Sequence, residues 1–292
     1  MVFRLPSTLL AATLLLAATA ALAHEFWLEV PGYRVPAGST HSLRLLSGER
    51  FTGEKWAGKA RRVVRLVRFG PAGPADSTNL PPQQPGPTDS LATAIRFERP
   101  GTHLVALHTN ATFIRLPAAK FTAYLTEEGL TNALTLRHVR GQDTAAGREA
   151  YRRCAKTLVQ AGPTTAAAAD TAYRRILNAP LELVPEQNPY RLTAGAALTV
   201  RVLRAGQPAT GALVQLWQRQ PAGQATRRTV LRANKNGRLL LRLSGPGPYL
   251  LACVEMVPMP RPTPTGMPPA DWLSTWASLT FAGPAALSGG RR

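Results

Sequence analysis

The apolar residues of this chain come in short runs cut apart by proline and glycine, of which there are 26 and 24. Such punctuation leaves little room for long helices and favours strands joined by turns, hence a mainly β architecture. One longer apolar stretch, Leu9 to Ala20, follows the single basic residue Arg4 and ends in Ala21-Leu22-Ala23. A basic start, an apolar middle and a small-x-small close are the order of a secretory leader, and the run is short of the roughly 20 residues a membrane span needs. Cleavage after Ala23 makes His24 the first residue of an exported chain with no further membrane span.

The periodicity places two β-domains around a helical insert. In the first, 24–115, residues 40–46 alternate with His41, Leu43 and Leu45 on one face, and 62–69 form a second strand. Residues 71–90, crowded with Pro, Gly, Gln, Asp and Ser, read as a mobile loop, and 94–97 with 101–109 as a hairpin turning at Pro100-Gly101. The insert, 116–178, holds helices at 118–128, at 132–139 and at 144–160, the last on the spacing of Tyr151, Cys154 and Leu158. The second domain, 179–282, has strands at 181–185, 198–203, 212–217, 249–256 and 273–281, with a hairpin of 228–232 and 238–243 about Asn236-Gly237. A Pro-rich loop spans 257–270, and the tail 283–292 is expected to be disordered. Strands at this spacing suggest immunoglobulin-like sandwiches.

Net charge is +19, from 35 Lys and Arg against 16 Asp and Glu. The basic residues are scattered, with no basic block and no aromatic-interleaved motif, so they decorate solvated faces and mark no specific nucleic-acid reader. Two cysteines, Cys154 and Cys253, fit either one bridge in an oxidising compartment or two buried thiols, and no C-x-x-C pair is present. Hydrolase chemistry has no support: the G-x-S-x-G elbow, the H-E-x-x-H helix and a phosphate-cradling glycine loop are all missing. The chain is therefore expected not to be an enzyme.

Metal chemistry rests on His24, His41, His103, His108 and His138. A terminal histidine offers its amine and its ring nitrogen to one ion, a chelate no internal histidine can make. Both donors must be deprotonated, so affinity should fall with pH. Nitrogen donors suit copper, nickel and, less well, cobalt. His103 and His108, five apart on one strand, point to opposite faces. A site around His24 would draw on one of His41, His103 or His108, or on a carboxylate.

Several segments resemble one family, an exported domain of unknown function (4198) similar to periplasmic components of nickel and cobalt uptake systems. They are His24-Glu25-Phe26-Trp27-Leu28-Glu29, Gly48-Glu49-Arg50-Phe51, Lys120-Phe121-Thr122-Ala123-Tyr124-Leu125 and Glu127-Glu128-Gly129-Leu130. Gly147-Arg148-Glu149, Tyr151-Arg152-Arg153-Cys154-Ala155-Lys156, Leu181-Glu182-Leu183-Val184-Pro185-Glu186, Asn188-Pro189-Tyr190 and Trp276-Ala277-Ser278-Leu279-Thr280-Phe281 follow in the same order. The resemblance implies β-sandwich domains, a divalent metal and a membrane transporter as partner. Where relatives read Val-His-Met and Asp-Trp-Glu-Ser, this chain has Val254-Glu255-Met256 and Asp271-Trp272-Leu273-Ser274, replacing an imidazole and a carboxylate. The expected ligands are His24, Glu255 and His108, for nickel, cobalt or copper in uptake or delivery, in the periplasm or secreted. The alternatives are a metal-free interaction module of the cell envelope and a copper oxygenase built on a terminal histidine brace.

Overall fold

The computed structural model describes residues 25–73, 76–80, 93–163, 170–220, 224–260 and 266–284. The chain is mainly β. Its first half runs β1 (Glu25–Glu29), β2 (Arg34–Val35), β3 (Ser39–Glu49), β4 (Thr52–Lys55), β5 (Val63–Phe69), β6 (Ser77–Asn79), β7 (Thr93–Phe97), β8 (Gly101–Thr109) and β9 (Thr112–Leu116). Helices α1 (Ala118–Glu127) and α2 (Thr131–Val139) precede β10 (Gly147–Ala161). The second half holds β11 (Glu182–Pro185), β12 (Ala197–Arg204), β13 (Gln207–Pro208), β14 (Leu213–Gln218), β15 (Arg227–Arg232), β16 (Arg238–Arg242), β17 (Pro248–Pro258) and β18 (Trp272–Ala282).

These strands make three sheets. A ten-stranded sheet in the order β15-β14-β17-β18-β10-β8-β5-β6, with β2 and β9 also on β10, crosses both halves of the chain. One face packs against β11, β12, β13 and β16, burying Leu158, Leu181, Val200, Leu251 and Leu279. The other packs in part against β1, β3, β4 and β7, burying Leu28, Leu45, Phe97, Val105 and Val159. Beyond that small sheet the two helices cover Val254, Met256 and Trp272 with Phe121 and Leu125.

Helices α1 and α2 fall where helical spacing predicts them. Gly129, at φ +64°, ends α1 with the Leu130 N–H reaching back to the Leu125 carbonyl, as a left-handed C-cap requires. The third expected helix does not exist. Residues 147–161 are strand β10, and the spacing of Tyr151, Cys154 and Leu158 misled because β10 is buried on both faces. A strand of that kind has no polar side to set its period, so its apolar run mimics a helical stripe. The segment 116–178 thus supplies two helices and also a central strand.

Neither expected hairpin forms. β7 pairs with β3, whereas β8 pairs with β5 and β10. β15 pairs with β14, and β16, just past the Asn236-Gly237 turn, pairs with β12. In both cases a short turn carries the chain from one layer to another, a choice that turn chemistry does not encode. The loop expected at 71–90 contains β6, and its residues 74–75 and 81–90 lie outside the described residues, as do the tail from 285 on and the connector 164–169.

Cys154 and Cys253 are both buried free thiols. The register runs Cys154 to Ala277 to Cys253, so an intervening strand separates them. Two interstrand steps are roughly 10 Å, beyond the ~7 Å a disulfide can span. Burial also pushes the Cys154 thiol up to about 11 and Cys253 higher still.

Two outcomes test this description. The native chain should expose no titratable thiol to an aromatic disulfide reagent, and the urea-unfolded chain should expose both. Leu158→Ala, which empties a fully buried site on β10, should lower the free energy of urea unfolding by about 2–5 kcal/mol.

Candidate functional site

Strand β1 is buried along its whole length and pairs with β3 from Glu25 opposite Gly48 to Glu29 opposite Arg44. The β3–β4 connection that follows is a two-residue turn, Arg50-Phe51, between the paired residues Glu49 and Thr52. Both turn residues sit in the left-handed region, at φ 54° and 60°. Such a turn ordinarily takes Asn-Gly, and each bulky residue there costs roughly 1–2 kcal/mol. Burial offsets that cost: Phe51 is fully enclosed and meets Trp27 edge-on at 5.4 Å. Arg219, just after β14, lies 4.2 Å over the Phe51 ring, donates to the Phe51 carbonyl at 3.2 Å, and donates to Glu29 at 3.1 Å. Trp217 and Leu250 close the same cluster from the ten-stranded sheet.

The turn thereby aims Glu49 and Arg50 into a cavity of about 320 Å³ that also takes Glu25, Glu127 and Glu128. Gln215, Trp217 and Arg228 line it from the side of the ten-stranded sheet. Four carboxyl groups face two guanidinium groups there. Glu127 closes α1 and Glu128 caps its C-terminus, the end of a helix that carries partial negative charge and ordinarily attracts cations.

Burial raises the Glu25 carboxyl from 4.5 to about 7, and the charge of Glu49 adds to the shift. Burial and then repulsion from Glu25 raise Glu128 to about 7 as well, although it accepts a 2.9 Å hydrogen bond from Gln215. Glu25 is 7% exposed, and its Oε2 has no hydrogen-bond donor. The backbone N–H of Glu25, the Trp217 indole N–H and the backbone N–H of Arg50 lie toward the carboxyl and oppose the shift, although the indole completes no full hydrogen bond. Among the described residues, no three His, Cys, Asp or Glu side chains converge closely enough to hold an ion by themselves.

Of the expected ligands, the two that are described, Glu255 and His108, do not meet. His24 lies outside the described residues, whereas Glu25, its chain neighbour, is described. Glu255 is held by Arg204 in a two-pronged ion pair, Nε–Oε2 2.5 Å and Nη2–Oε1 2.6 Å. His108 stands on β8, three strand steps or roughly 14 Å across the sheet from β17, which carries Glu255. Burial, then the charges of Arg65 and Lys156, lower His108 to about 4, a poor setting for a cation. His41 bonds Ser39 at 2.8 Å, His103 is buried between Arg68 and the Arg99 carbonyl, and His138 pairs with Asp143 on an exposed surface. None of these four histidines lines the cavity beside Glu25. Sequence reasoning missed Glu25, Glu49 and Glu128 as site residues. The one local hint was Glu127-Glu128 placed directly before the helix-stopping Gly129, the wrong end of a helix for acids.

A family profile described as a domain of unknown function, DUF4198, matches residues 21–256. The chain belongs to this family. The match takes in β1, the β3–β4 turn, both helices and most of β17, so every residue lining the cavity falls within the family's extent. No curated protein matches the DUF4198 chain. Among solved structures it is similar to a tetra-tandem repeat in the extending region of a large adhesion protein, at 12% identity and TM-score 0.22, covering 89% of this chain and 49% of that one. It is also similar to the three N-terminal domains of the bacteriophage RB49 highly immunogenic outer capsid protein, at 5% identity and TM-score 0.22, over 91% of this chain and all of that one. The chain spans about half the length of the adhesion fragment, and overlaps this weak carry nothing about fold or role. No described helix is long and apolar enough to cross a membrane.

A carboxyl whose folded value is raised binds its proton more tightly in the folded chain. The stability it contributes is complete below about 4.5 and drains away as pH climbs through about 7. His103 and His108, both lowered to about 4, act in the opposite sense over part of that window, so the test is a difference. Glu25→Gln should be more stable than the unaltered chain at pH 8, on the order of 3 kcal/mol at most. The two should converge near pH 4.5, read from thermal midpoints across the range. A gap independent of pH would contradict the raised Glu25.

Proposed function

We propose that this DUF4198 chain is an exported, non-enzymatic protein that binds a divalent transition metal at its amino-terminal edge. Glu25, with Glu49 and Glu128 across the cavity, supplies the carboxylate part, and the amine and ring of a terminal His24 supply the nitrogen part. The observation that carries this reading is the buried Glu25 Oε2 without a donor, at the first described position of β1. It is one peptide bond from the residue that cleavage after Ala23 would make the first. A carboxylate with one oxygen lacking a donor, repelled by Glu49 and facing the negative end of α1, is stabilised in its charged form by a nearby cation.

Nickel, cobalt and copper suit the mixed nitrogen and oxygen donors, with copper tightest. Glu255 and His108 leave the ligand set, the first because Arg204 occupies both its oxygens and the second because cations surround it. The oxygenase alternative loses ground for a related reason, since a histidine brace needs a second imidazole and none of the described ones lines this cavity. The same reading takes the chain as two immunoglobulin-like sandwiches sharing the ten-stranded sheet, in the periplasm or outside the cell, handing metal to a membrane transporter.

Calorimetric titration of natively exported protein with nickel or copper tests the reading. One added glycine before His24, or Glu25→Gln, should each weaken binding by about 10–100-fold, the range typical of disturbed metal surroundings. Affinity should rise from pH 6 to pH 8 as Glu25 and Glu128, raised to about 7, and the amine, near 7.7–8.0, lose their protons. Equal affinity with and without the added glycine would defeat the chelate.

A further inference from the structure

Two sheet edges lie open together along β15 and β16, with β15 running from beside the Glu25 cavity, where Arg228 lines it. β15 ends the ten-stranded sheet, and β16 ends the small sheet of β11, β12 and β13. The turn at Asn236-Gly237 carries the chain from one edge to the other. Among the described residues, the backbone hydrogen bonds of β15 run to β14, which leaves its outer edge unpaired. Between the two edges lies a groove of about 400 Å³ whose apolar lining includes Leu216, Leu231, Leu240 and Leu241, with Arg227 and Arg242 at its rim.

Two features set this edge apart from one merely shielded against aggregation. Val230 is 48% exposed and Leu240 61% exposed, so apolar side chains face water on both strands. Residues 224–244 also carry five arginines and a lysine with no Asp or Glu. Arg227 has no carboxylate partner among the described residues, and Arg242 reaches only the Gly195 carbonyl at 3.4 Å. Arg238 is paired with Glu186 at 2.8 Å, but the positive charge of Arg227 and Arg242 at the groove repels a second copy of the same edge and attracts an acidic one.

We infer that β15 is a docking edge for an extended acidic segment of a partner protein. The segment adds as a further strand beside β15, its alternate apolar side chains entering the groove and its carboxylates meeting Arg227 and Arg242. Backbone pairing supplies affinity in such strand addition, and the alternate side chains supply specificity. The inference does not depend on the metal reading, since neither arginine lines the cavity at Glu25.

The test uses the full exported chain and a short fluorescent peptide alternating glutamate and valine, followed by anisotropy. The peptide should bind. The same peptide with lysine for glutamate should not, nor should one with a central proline, which cannot complete the backbone pairing. R227E/R242E should weaken binding about tenfold or more, as reversed rim charges do, with unchanged circular dichroism and metal affinity. Heparin binding alone, equal binding of the proline peptide, or an unaffected R227E/R242E would each overturn the strand-docking inference, the first in favour of a generic polyanion surface.

Discussion

The structure depends on a parallel ladder between β10 and β18. Nine residue pairs, from Glu149 with Trp272 to Thr157 with Thr280, join segments 123 positions apart. Parallel pairing of such distant segments leaves no hairpin to guide it, and it survives only where both faces are covered. Both are covered here, by the small sheet of β11, β12, β13 and β16 on one side and by β1 and the helices on the other. Folding that must close this contact late, after long loops have been brought together, is expected to be slow.

The buried ionisable groups Lys156 and Glu149 along this seam find partners in place, whereas the Trp272 indole N–H and the Ser278 hydroxyl do not. The Lys156 ammonium, held below its ordinary value by burial, donates to Glu182 at 2.5 Å, and Glu182 also accepts from the Leu177 and Ala179 amides. Glu149 accepts from the Tyr124 hydroxyl at 3.3 Å and from the Ser274 hydroxyl, tying α1 to the two paired strands. Buried charges with full partner sets hold register and add little net stability. Glu25 differs from Lys156 and Glu149, because its second oxygen has no partner, as is also true of one oxygen each of Asp76 and Asp170.

The cavity around Glu25 shows how cost and placement are linked. A left-handed Arg50-Phe51 turn is unfavourable taken alone, and the enclosure of Phe51 under Trp27 and Arg219 holds it in place. The same packing brings Glu49 from β3, Glu25 from β1 and Glu128 from the end of α1 to one space. Each comes from a separate stretch of chain, and only the assembled layers put their charges in reach of one another.

Local chemistry alone specified much of the fold. The bounds of α1 follow from Pro117 and Gly129, and β3, β5, β12, β14, β17 and β18 follow from alternation or apolar runs between turn residues. These features are written in neighbours along the chain, where capping and period act. What lay beyond reach was decided between layers: that 147–161 is a strand buried on both faces, that two apparent hairpins send their strands to different sheets, and that Glu255 is spent on Arg204. The small-x-small stretch before His24 was legible, but the acidic cavity that takes Glu25 was not, because its carboxyls are scattered over a hundred positions and the raised proton affinity of Glu25 and Glu128 arises only once burial and mutual repulsion act together.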